Sequence, residues 1–228
     1  MTQAIDIFLL RHGQVDGPAA LYGVTDIPST QDGQDKVIAQ LTRLHTEAAL
    51  DSVFTSPKLR CRVPATQVCD HLKIPLMISP ELAEIDFGIW DGIAFATWDE
   101  HFRSRPEDAW PLLTRYYQAP LATTAPQGEA LADFATRIGK EFSDIICQAQ
   151  SNKHTRLAIV CHGGVIRTLL AKILGIPLSG KIFSRLQIDY ASCHQLRYIP
   201  SSTFPLAVTS KTDSIFDQCR ILQINSTL

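Results

Sequence analysis

Two short strings of this chain place a histidine and a glycine directly after an apolar run. The string RHG, centred on His12, follows residues 5–10, and the string HGG, which begins at His162, follows residues 157–161. One such string carries little weight, because a glycine there usually serves a tight turn. Two such strings favour a functional role for both histidines, since ligands of open α/β sheets bind beyond the carboxyl ends of the strands.

Two further strand-like runs are also followed by residues that can do chemistry. Residues 51–56 lead to Arg60, and residues 76–79 lead to a loop that holds Glu84. With Arg11, which precedes the first histidine, the pattern predicts two histidines, two arginines and a carboxylate at one edge of a sheet.

Phosphoryl transfer is the chemistry that such a set suits. Arginine offers planar, bidentate donors that match phosphate, and two arginines facing one pocket need a dianion to offset their repulsion. A histidine beside these cations is kept neutral, which leaves one ring nitrogen free to attack phosphorus. The second histidine and the backbone N–H groups of the Gly163-Gly164 turn would donate to the phosphoryl oxygens, and a carboxyl group would protonate the leaving oxygen.

Short β-rich runs alternate with longer segments of helical period, which is typical of an α/β domain with a mainly parallel sheet. Helices are predicted over residues 32–50, 58–72 (with a kink or a late start at Pro64), 128–150 and 165–175. Three more strands are predicted near the end, over residues 186–190, 194–199 and 220–224. The polar stretch 201–217 is expected to form a loop or a loose hairpin.

Composition and charge exclude several classes of protein. The 228 residues, 45% of them hydrophobic and 19% charged, fit one domain with a full core and argue against disorder. A net charge of -2 gives no electrostatic field that would hold a nucleic acid, and no apolar run approaches the ~20 residues that cross a bilayer.

Six scattered cysteines without a C-x-x-C pair indicate reduced thiols and a cytoplasmic protein. Cys161 abuts His162, but neighbouring strand residues point to opposite faces, which argues against a Cys-His nucleophile.

Four strings stand in order between Phe8 and Leu170: FLLRHGQV, TSPKLR, ELAEIDFGIWDG and AIVCHGGVIRTLL. Two more, LYGVTDIPSTQDG and QGEALADFATRI, lie between them. Together they resemble the successive motifs of the histidine phosphatase superfamily, in its phosphoglycerate-mutase-like branch. The resemblance implies a three-layer α/β/α sandwich with a mainly parallel mixed sheet, and chemistry that needs no metal and no cofactor.

The resemblance also implies a role for each candidate residue. His12 is the nucleophile that becomes phosphohistidine, Arg11 and Arg60 bind the phosphoryl oxygens, His162 stabilises the transition state, and Glu84 is the general acid.

One position departs from the family pattern. Many relatives have asparagine six residues after the catalytic histidine, where Pro18 stands in this chain. The missing phosphate contact is expected to come from Gln14 or from the backbone near Gly23, and the backbone of Gly163 is expected to bind substrate as well.

Some interpretations stay open at the level of sequence. Spacing alone does not separate Arg60 from Arg62, although the resemblance favours Arg60. Glu84 competes with Asp86 for the role of acid, and Asp91 is expected to be structural. A surface or helix-to-loop salt bridge, rather than a phosphate contact, is the expected role of Arg167.

Five other histidines lack metal-ligand spacing and are expected to be non-catalytic: His45, His71, His101, His154 and His194.

Three functions fit these observations. The first is a phosphomonoesterase acting on a small-molecule phosphate ester. Similarity to bacterial α-ribazole phosphatases, through RHGQVDG, LYGVTD and LAEIDFGIWDG, points to hydrolysis of α-ribazole 5′-phosphate in cobalamin nucleotide-loop assembly. The second is a phosphoglycerate mutase or a broad sugar-phosphate phosphatase, and the third is an inactive module that binds phosphorylated ligands. Inactive relatives usually lose a histidine, whereas both are present here.

The whole chain, residues 1–228, is expected to be a single domain with a small helical cap over about residues 93–127. This segment is rich in aromatic residues. Most of them are expected to pack in the core of the cap, and one or two are expected to line the entrance to the site and stack on an aromatic base of the substrate. The sequence does not determine the oligomeric state, and a homodimer is possible.

Overall fold

One mixed sheet organises the computed structural model, which describes residues 3–200 and 215–227. Its strands within those residues are β1 (Ile5–Arg11), β2 (Ser52–Thr55), β3 (Leu76–Ile78), β4 (Arg156–Cys161), β5 (Cys193–Tyr198) and β6 (Cys219–Ser226). Their order across the sheet is β3-β2-β4-β1-β5-β6. Strands β3, β2, β4 and β1 pair in parallel, whereas β5 pairs antiparallel with both β1 and β6. The predicted α/β fold with a mainly parallel mixed sheet is confirmed.

Helices connect and cover these strands. They are α1 (Gln31–Glu47), α2 (Leu59–Leu72), α3 (Trp98–His101), α4 (Trp110–Gln118), α5 (Leu131–Ser151), α6 (Gly163–Leu174) and α7 (Gly180–Arg185). Among the residues that the structure describes, no helix has the length and apolar character needed to span a membrane.

The sheet lies between two helical layers because its central strands are apolar on both faces. Along β1, Ile7 and Leu9 pack in the cluster formed with α5 and α6, whereas Phe8 and Leu10 pack in the cluster formed with α1 and α2. Neighbouring strand residues point to opposite faces, so a strand buried on both sides becomes an unbroken apolar run.

A third apolar cluster joins the segment 93–127 to the body of the protein. Trp98, Phe102 and Leu113 of this segment pack with Leu21 and Trp90 from outside it. The cluster accounts for most of the aromatic residues noted in the sequence.

The helices differ from the predicted ones in detail. Helix α5 begins at Leu131 rather than at residue 128, because Gly128 belongs to a turn whose N–H donates to the Ala125 carbonyl. Helix α2 runs through Pro64, which has no N–H to donate to the Arg60 carbonyl. The Ser29 hydroxyl lies 3.3 Å from that carbonyl oxygen and shares its one hydrogen between it and the Gly13 carbonyl oxygen at 3.1 Å.

The predicted strand over residues 186–190 is wrong. This segment is irregular, and side chains rather than a strand ladder hold it: Asn225 Nδ2 donates to the Gln187 carbonyl, and the Ser192 hydroxyl donates to that of Asp189. Most of the expected loop over residues 201–217 lies outside the described residues, but Phe216 at its end stacks on Phe142 in the core.

Candidate active site

Strand register brings the two predicted histidines together. Strand β1 pairs with β4 so that Arg11 lies opposite Cys161, and the next N–H, that of His12, donates to the Cys161 carbonyl at 3.0 Å. The rings of His12 and His162 therefore lie at the same end of adjacent strands, with centroids 5.2 Å apart. Both histidines are buried.

The ring of His12 is held in one tautomer. Its Nδ1 lies 2.7 Å from the Gly13 carbonyl oxygen, which can only accept, so Nδ1 carries the proton and Nε2 keeps its lone pair. Burial lowers the pKa of His12 well below its ordinary value, and the charges of Arg11 and Arg60 lower it further. A neutral imidazole with a free Nε2 is the form that can attack phosphorus.

His162 is neutral for the same reasons, since burial and then the charge of Arg60 lower its pKa well below the ordinary value. Its Nδ1 accepts from Arg60 Nε at 3.3 Å, which places the ring proton on Nε2, 2.7 Å from the Ser56 hydroxyl. A contact between this ring and a phosphoryl oxygen therefore requires the Ser56 or the Arg60 bond to be given up. No role was predicted for Ser56 from the sequence, although it directly follows β2, as the other site residues follow their strands.

Arg60, and not Arg62, lies in the site. Arg60 is fully buried, and its guanidinium donates to the carbonyl oxygens of Tyr22 at 2.8 Å and Thr25 at 3.0 Å. Arg62 is half-buried and donates to the Pro57 carbonyl, away from both histidines.

The loop that contacts Arg60 is held from its other side by Asp91. The Asp91 carboxylate accepts from the N–H groups of Gly23 at 2.6 Å, Val24 at 2.9 Å and Thr25 at 2.8 Å. The expected structural role of Asp91 agrees with these bonds. Because the Gly23 N–H is used within the protein, the backbone at Gly23 does not offer a donor to a phosphoryl group.

Two other groups were expected to bind substrate, the Gln14 side chain and the backbone of Gly163, and neither donor is used by a hydrogen bond within the described residues. The Gln14 side chain is exposed, and no hydrogen bond joins it to another described residue. The Gly163 N–H, in the first turn of α6, likewise has no acceptor in the described part of the chain.

Arg11 is fixed by the irregular segment that follows α7. One terminal nitrogen of Arg11 donates to the Ile188 carbonyl, and its guanidinium carbon lies 3.8 Å from the ring centroid of Tyr190. Its buried Nε has no partner among the described residues. This support could not be predicted from the sequence, because residues 186–190 have the pattern of a strand.

Glu84 lies beside the second histidine string. The Gly164 N–H donates to Glu84 Oε2 at 2.9 Å, and the Ile85 N–H donates to Oε1 at 3.1 Å. A Cβ atom on Gly164 would lie 2.2 Å from Glu84 Oε1, so glycine is needed for this approach. Asp86 instead accepts from the Gly88 N–H within its own turn, which favours Glu84 as the acid.

A small cavity of about 170 Å³ opens next to Glu84. Its walls include Phe87, Tyr116, Tyr117 and Arg167. A larger depression of about 580 Å³ lies along α1, between residues such as Ile38 and Thr46, and contains none of the groups described above.

Cys61 lies next to His162 but is not suited to act as a nucleophile. Cys61 Sγ lies 3.7 Å from His162 Nε2, but burial raises the pKa of the Cys61 thiol to about 12, so it is not a thiolate. Within the described ranges, no group of three or more histidine, cysteine and acidic side chains is placed to hold a metal ion.

Comparisons with known proteins show the family and the fold of the chain. The model of the histidine phosphatase superfamily (branch 1) matches residues 7–209. Phosphoserine phosphatase 1 of Hydrogenobacter thermophilus is 27% identical over 180 residues, which cover 77% of this chain and 79% of that protein. Adenosylcobalamin/alpha-ribazole phosphatase of Salmonella typhimurium is 31% identical over 180 residues, covering 75% and 80% of the two chains. A solved mycobacterial glucosyl-3-phosphoglycerate phosphatase, 20% identical, shares the fold with a TM-score of 0.75 over 98% of this chain and 100% of that one.

Proposed function

The chain belongs to the histidine phosphatase superfamily (branch 1), and we propose that this phosphatase is a metal-independent phosphomonoesterase that works through a phosphohistidine at His12. The observation that carries the proposal is the state of the His12 ring. Its Nδ1 proton is bound to the Gly13 carbonyl, and its Nε2 lone pair is left free beside two arginines.

The reaction then has two steps. In the first, His12 Nε2 attacks phosphorus, the bond from phosphorus to the ester oxygen breaks, and Glu84 gives its proton to the departing alkoxide. In the second, Glu84 takes a proton from water, the water oxygen attacks phosphorus, and the phosphorus–nitrogen bond breaks to release phosphate.

Most of the catalysis comes from the charged and polar groups around phosphorus. Rate enhancements for phosphate-monoester hydrolysis reach ~10²¹, whereas general acid catalysis supplies only ~10² to 10⁴. Arg11, Arg60 and the Gly163 N–H are the donors that we assign to the developing charge on the phosphoryl oxygens.

For the substrate, α-ribazole 5′-phosphate is the first candidate. The relative from Salmonella typhimurium is named for it, and Phe87, Tyr116 and Tyr117 offer aromatic walls for its benzimidazole. Other relatives are named for different substrates, such as phosphoserine. The proposed compartment is the cytoplasm, because all six cysteines are free thiols.

A rapid-quench experiment tests the nucleophile. With a radiolabelled phosphate ester, we expect an acid-labile, base-stable label on the wild-type protein and none on His12→Ala. His71→Ala, which removes an exposed histidine of α2, should keep the label. A label that persists in His12→Ala, or an acid-stable one, would contradict the proposal.

A further inference from the structure

The hydrogen-bond acceptor and the aromatic ring that hold the Arg11 guanidinium lie in one irregular segment, residues 186–192, between α7 and β5. A terminal nitrogen of Arg11 donates to the Ile188 carbonyl, and the guanidinium carbon lies 3.8 Å from the ring centroid of Tyr190. Glu84 attracts Arg11 by its charge from farther away, and no carboxylate forms an ion pair with Arg11 in the described part of the chain. The direction of this guanidinium therefore depends on where the segment lies.

The same segment contacts two other residues at this edge of the sheet. The Ala191 N–H donates to the His12 carbonyl at 3.1 Å. The Leu186 carbonyl accepts from Arg167 Nε at 2.8 Å, and Arg167 forms no ion pair with a described residue, so the salt bridge expected of it is not found. A shift of the segment would therefore move both arginines and the histidine together.

Asn225, near the end of β6, holds this segment on both sides of Ile188. Its Nδ2 donates to the Gln187 carbonyl at 2.8 Å, and its Oδ1 accepts from the Asp189 N–H at 3.2 Å. Neither of these two backbone groups has another hydrogen-bond partner among the described residues. The Asn225 amide thus takes the place of a neighbouring strand, and it fixes the Ile188 carbonyl in the direction that Arg11 uses.

A bulge in β6 places Asn225 for this contact. Cys193 pairs with Ser226 and Gln195 pairs with Gln223, so two residues of β6 lie opposite one residue of β5. Asn225 is one of the two, and its φ of 55° is a left-handed conformation that asparagine adopts more readily than most residues. Bulges redirect a side chain out of the regular ladder and are common next to active sites.

A chain of hydrogen bonds holds the segment from its other end. The Asn225 N–H donates to His194 Nδ1 at 3.3 Å, which places the ring proton of His194 on Nε2. That proton is donated to the Ser192 hydroxyl at 3.1 Å, and the hydroxyl donates to the Asp189 carbonyl at 2.6 Å. Asn225 therefore reaches Asp189 by two routes, one through its side chain and one through its backbone.

We propose that Asn225 is a positioning residue for the phosphoryl site: it sets the place of the Ile188 carbonyl, which in turn orients the Arg11 guanidinium. The inference rests on the proposed phosphatase function, in which Arg11 binds the phosphoryl oxygens. Asn225 does not touch the substrate. Its effect on the rate arises because donors stabilise a transition state only when they are in place before the reaction, and a shift of about 1 Å can cost ~100-fold.

Substitution of Asn225 by glycine tests the inference. Asn225→Gly removes both side-chain bonds, and glycine adopts a φ of 55° without strain. We expect kcat/KM for p-nitrophenyl phosphate to fall about 10- to 100-fold, and the affinity for vanadate, which mimics five-coordinate phosphorus, to fall by a similar factor. Asn152→Gly, which removes the other asparagine of the chain at the exposed end of α5, should change neither quantity.

A double-mutant cycle with Arg11 separates positioning from a merely structural role. If Asn225 acts through Arg11, its loss costs nothing further once the guanidinium is gone, so Arg11→Gln with Asn225→Gly should have the kcat/KM of Arg11→Gln alone. Independent structural damage would instead multiply the two losses. Thermal melting reports the folding of each variant. Should Asn225→Gly fail to fold, Asn225→Asp takes its place in the cycle, because it keeps the acceptor for the Asp189 N–H and removes only the donor to the Gln187 carbonyl.

Three results would overturn the inference. Full activity in a folded Asn225→Gly or Asn225→Asp, beside an active wild type, would show that the inference alone is wrong. Losses that multiply in the double variant would assign Asn225 to the fold and not to Arg11. A wild type that turns over no phosphate ester would overturn the phosphatase proposal and the inference together.

Discussion

At the scale of single residues, the site depends on keeping two histidines neutral beside fixed cations. His12 and His162 are buried, and the charges of the nearby arginines make protonation of either ring unfavourable. Each ring has a hydrogen-bond partner that selects its tautomer: the Gly13 carbonyl for His12, and Arg60 Nε for His162. Glu84 is fixed as firmly, by two backbone N–H groups.

The role of Glu84 should depend on the leaving group. Glu84→Gln keeps an oxygen that can accept from the Gly164 N–H but removes the proton source. An alkyl ester should then lose about 10² to 10⁴ in the rate of His12 phosphorylation, the usual value of a general acid. p-Nitrophenyl phosphate, whose leaving anion is already stable, should lose much less. Single-turnover rates for both esters measure the difference, and an equal loss on both would move the acid to another residue.

At the scale of elements, one short loop couples Asp91 to Arg60, the arginine that we propose binds the phosphoryl group. The N–H groups of residues 23–25 point to Asp91, while carbonyl groups of Tyr22, Gly23 and Thr25 point to Arg60. Asp91 therefore positions Arg60 without touching it. The three hydrogen bonds that Asp91 accepts from this loop explain the aspartate of the GIWDG string.

Asp91→Asn should weaken this coupling. The amide keeps one acceptor oxygen but turns an NH₂ group toward backbone donors, which costs about 2 kcal/mol of unfolding free energy. Because Arg60 is then displaced, kcat/KM should fall about 10- to 100-fold even well below the melting temperature. Asp99→Asn, on the exposed side of α3, should change neither quantity. Full activity in Asp91→Asn would show that Arg60 needs no support from this loop.

At the scale of the whole molecule, the fold buries histidines that the unfolded chain exposes. His194 is fully buried between Ser192 and the Asn225 N–H, and burial lowers its pKa to about 4. With His12 and His162, it makes the folded protein take up fewer protons than the unfolded chain below the ordinary histidine pKa of about 6.5.

Stability should therefore fall as the pH drops below about 6.5. The unfolded chain then binds protons that the folded state does not, so the free energy of unfolding decreases. His194 alone contributes a loss of about 2 kcal/mol between pH 7.5 and 5. Urea unfolding across this range should show a flatter profile for His194→Gln and an unchanged one for the exposed His71→Gln. Parallel profiles for His194→Gln and the wild type would contradict a low folded-state pKa at His194.

Much of the site could be predicted from the sequence because its residues follow buried strands. An unbroken apolar run such as 5–10 indicates a central strand, and the residue that ends a parallel strand lies at the ligand-binding edge. His12 and His162 were predicted in this way, whereas motif resemblance favoured Arg60 over Arg62 and assigned the role of acid to Glu84.

Other parts were decided only by tertiary structure. Residues 186–190 have the composition of a strand, yet their carbonyl groups bind Arg11 and Arg167 instead of a neighbouring strand. The Gly23 N–H is taken by Asp91, 68 residues away in the chain, which no local pattern reveals. Arg167 has the helical position of a surface residue, and only the packing of α4 and α7 around it makes it part of the wall of a cavity. These features depend on contacts between distant segments, so they follow from the way the elements pack, whereas the proposed catalytic residues follow from where each strand ends.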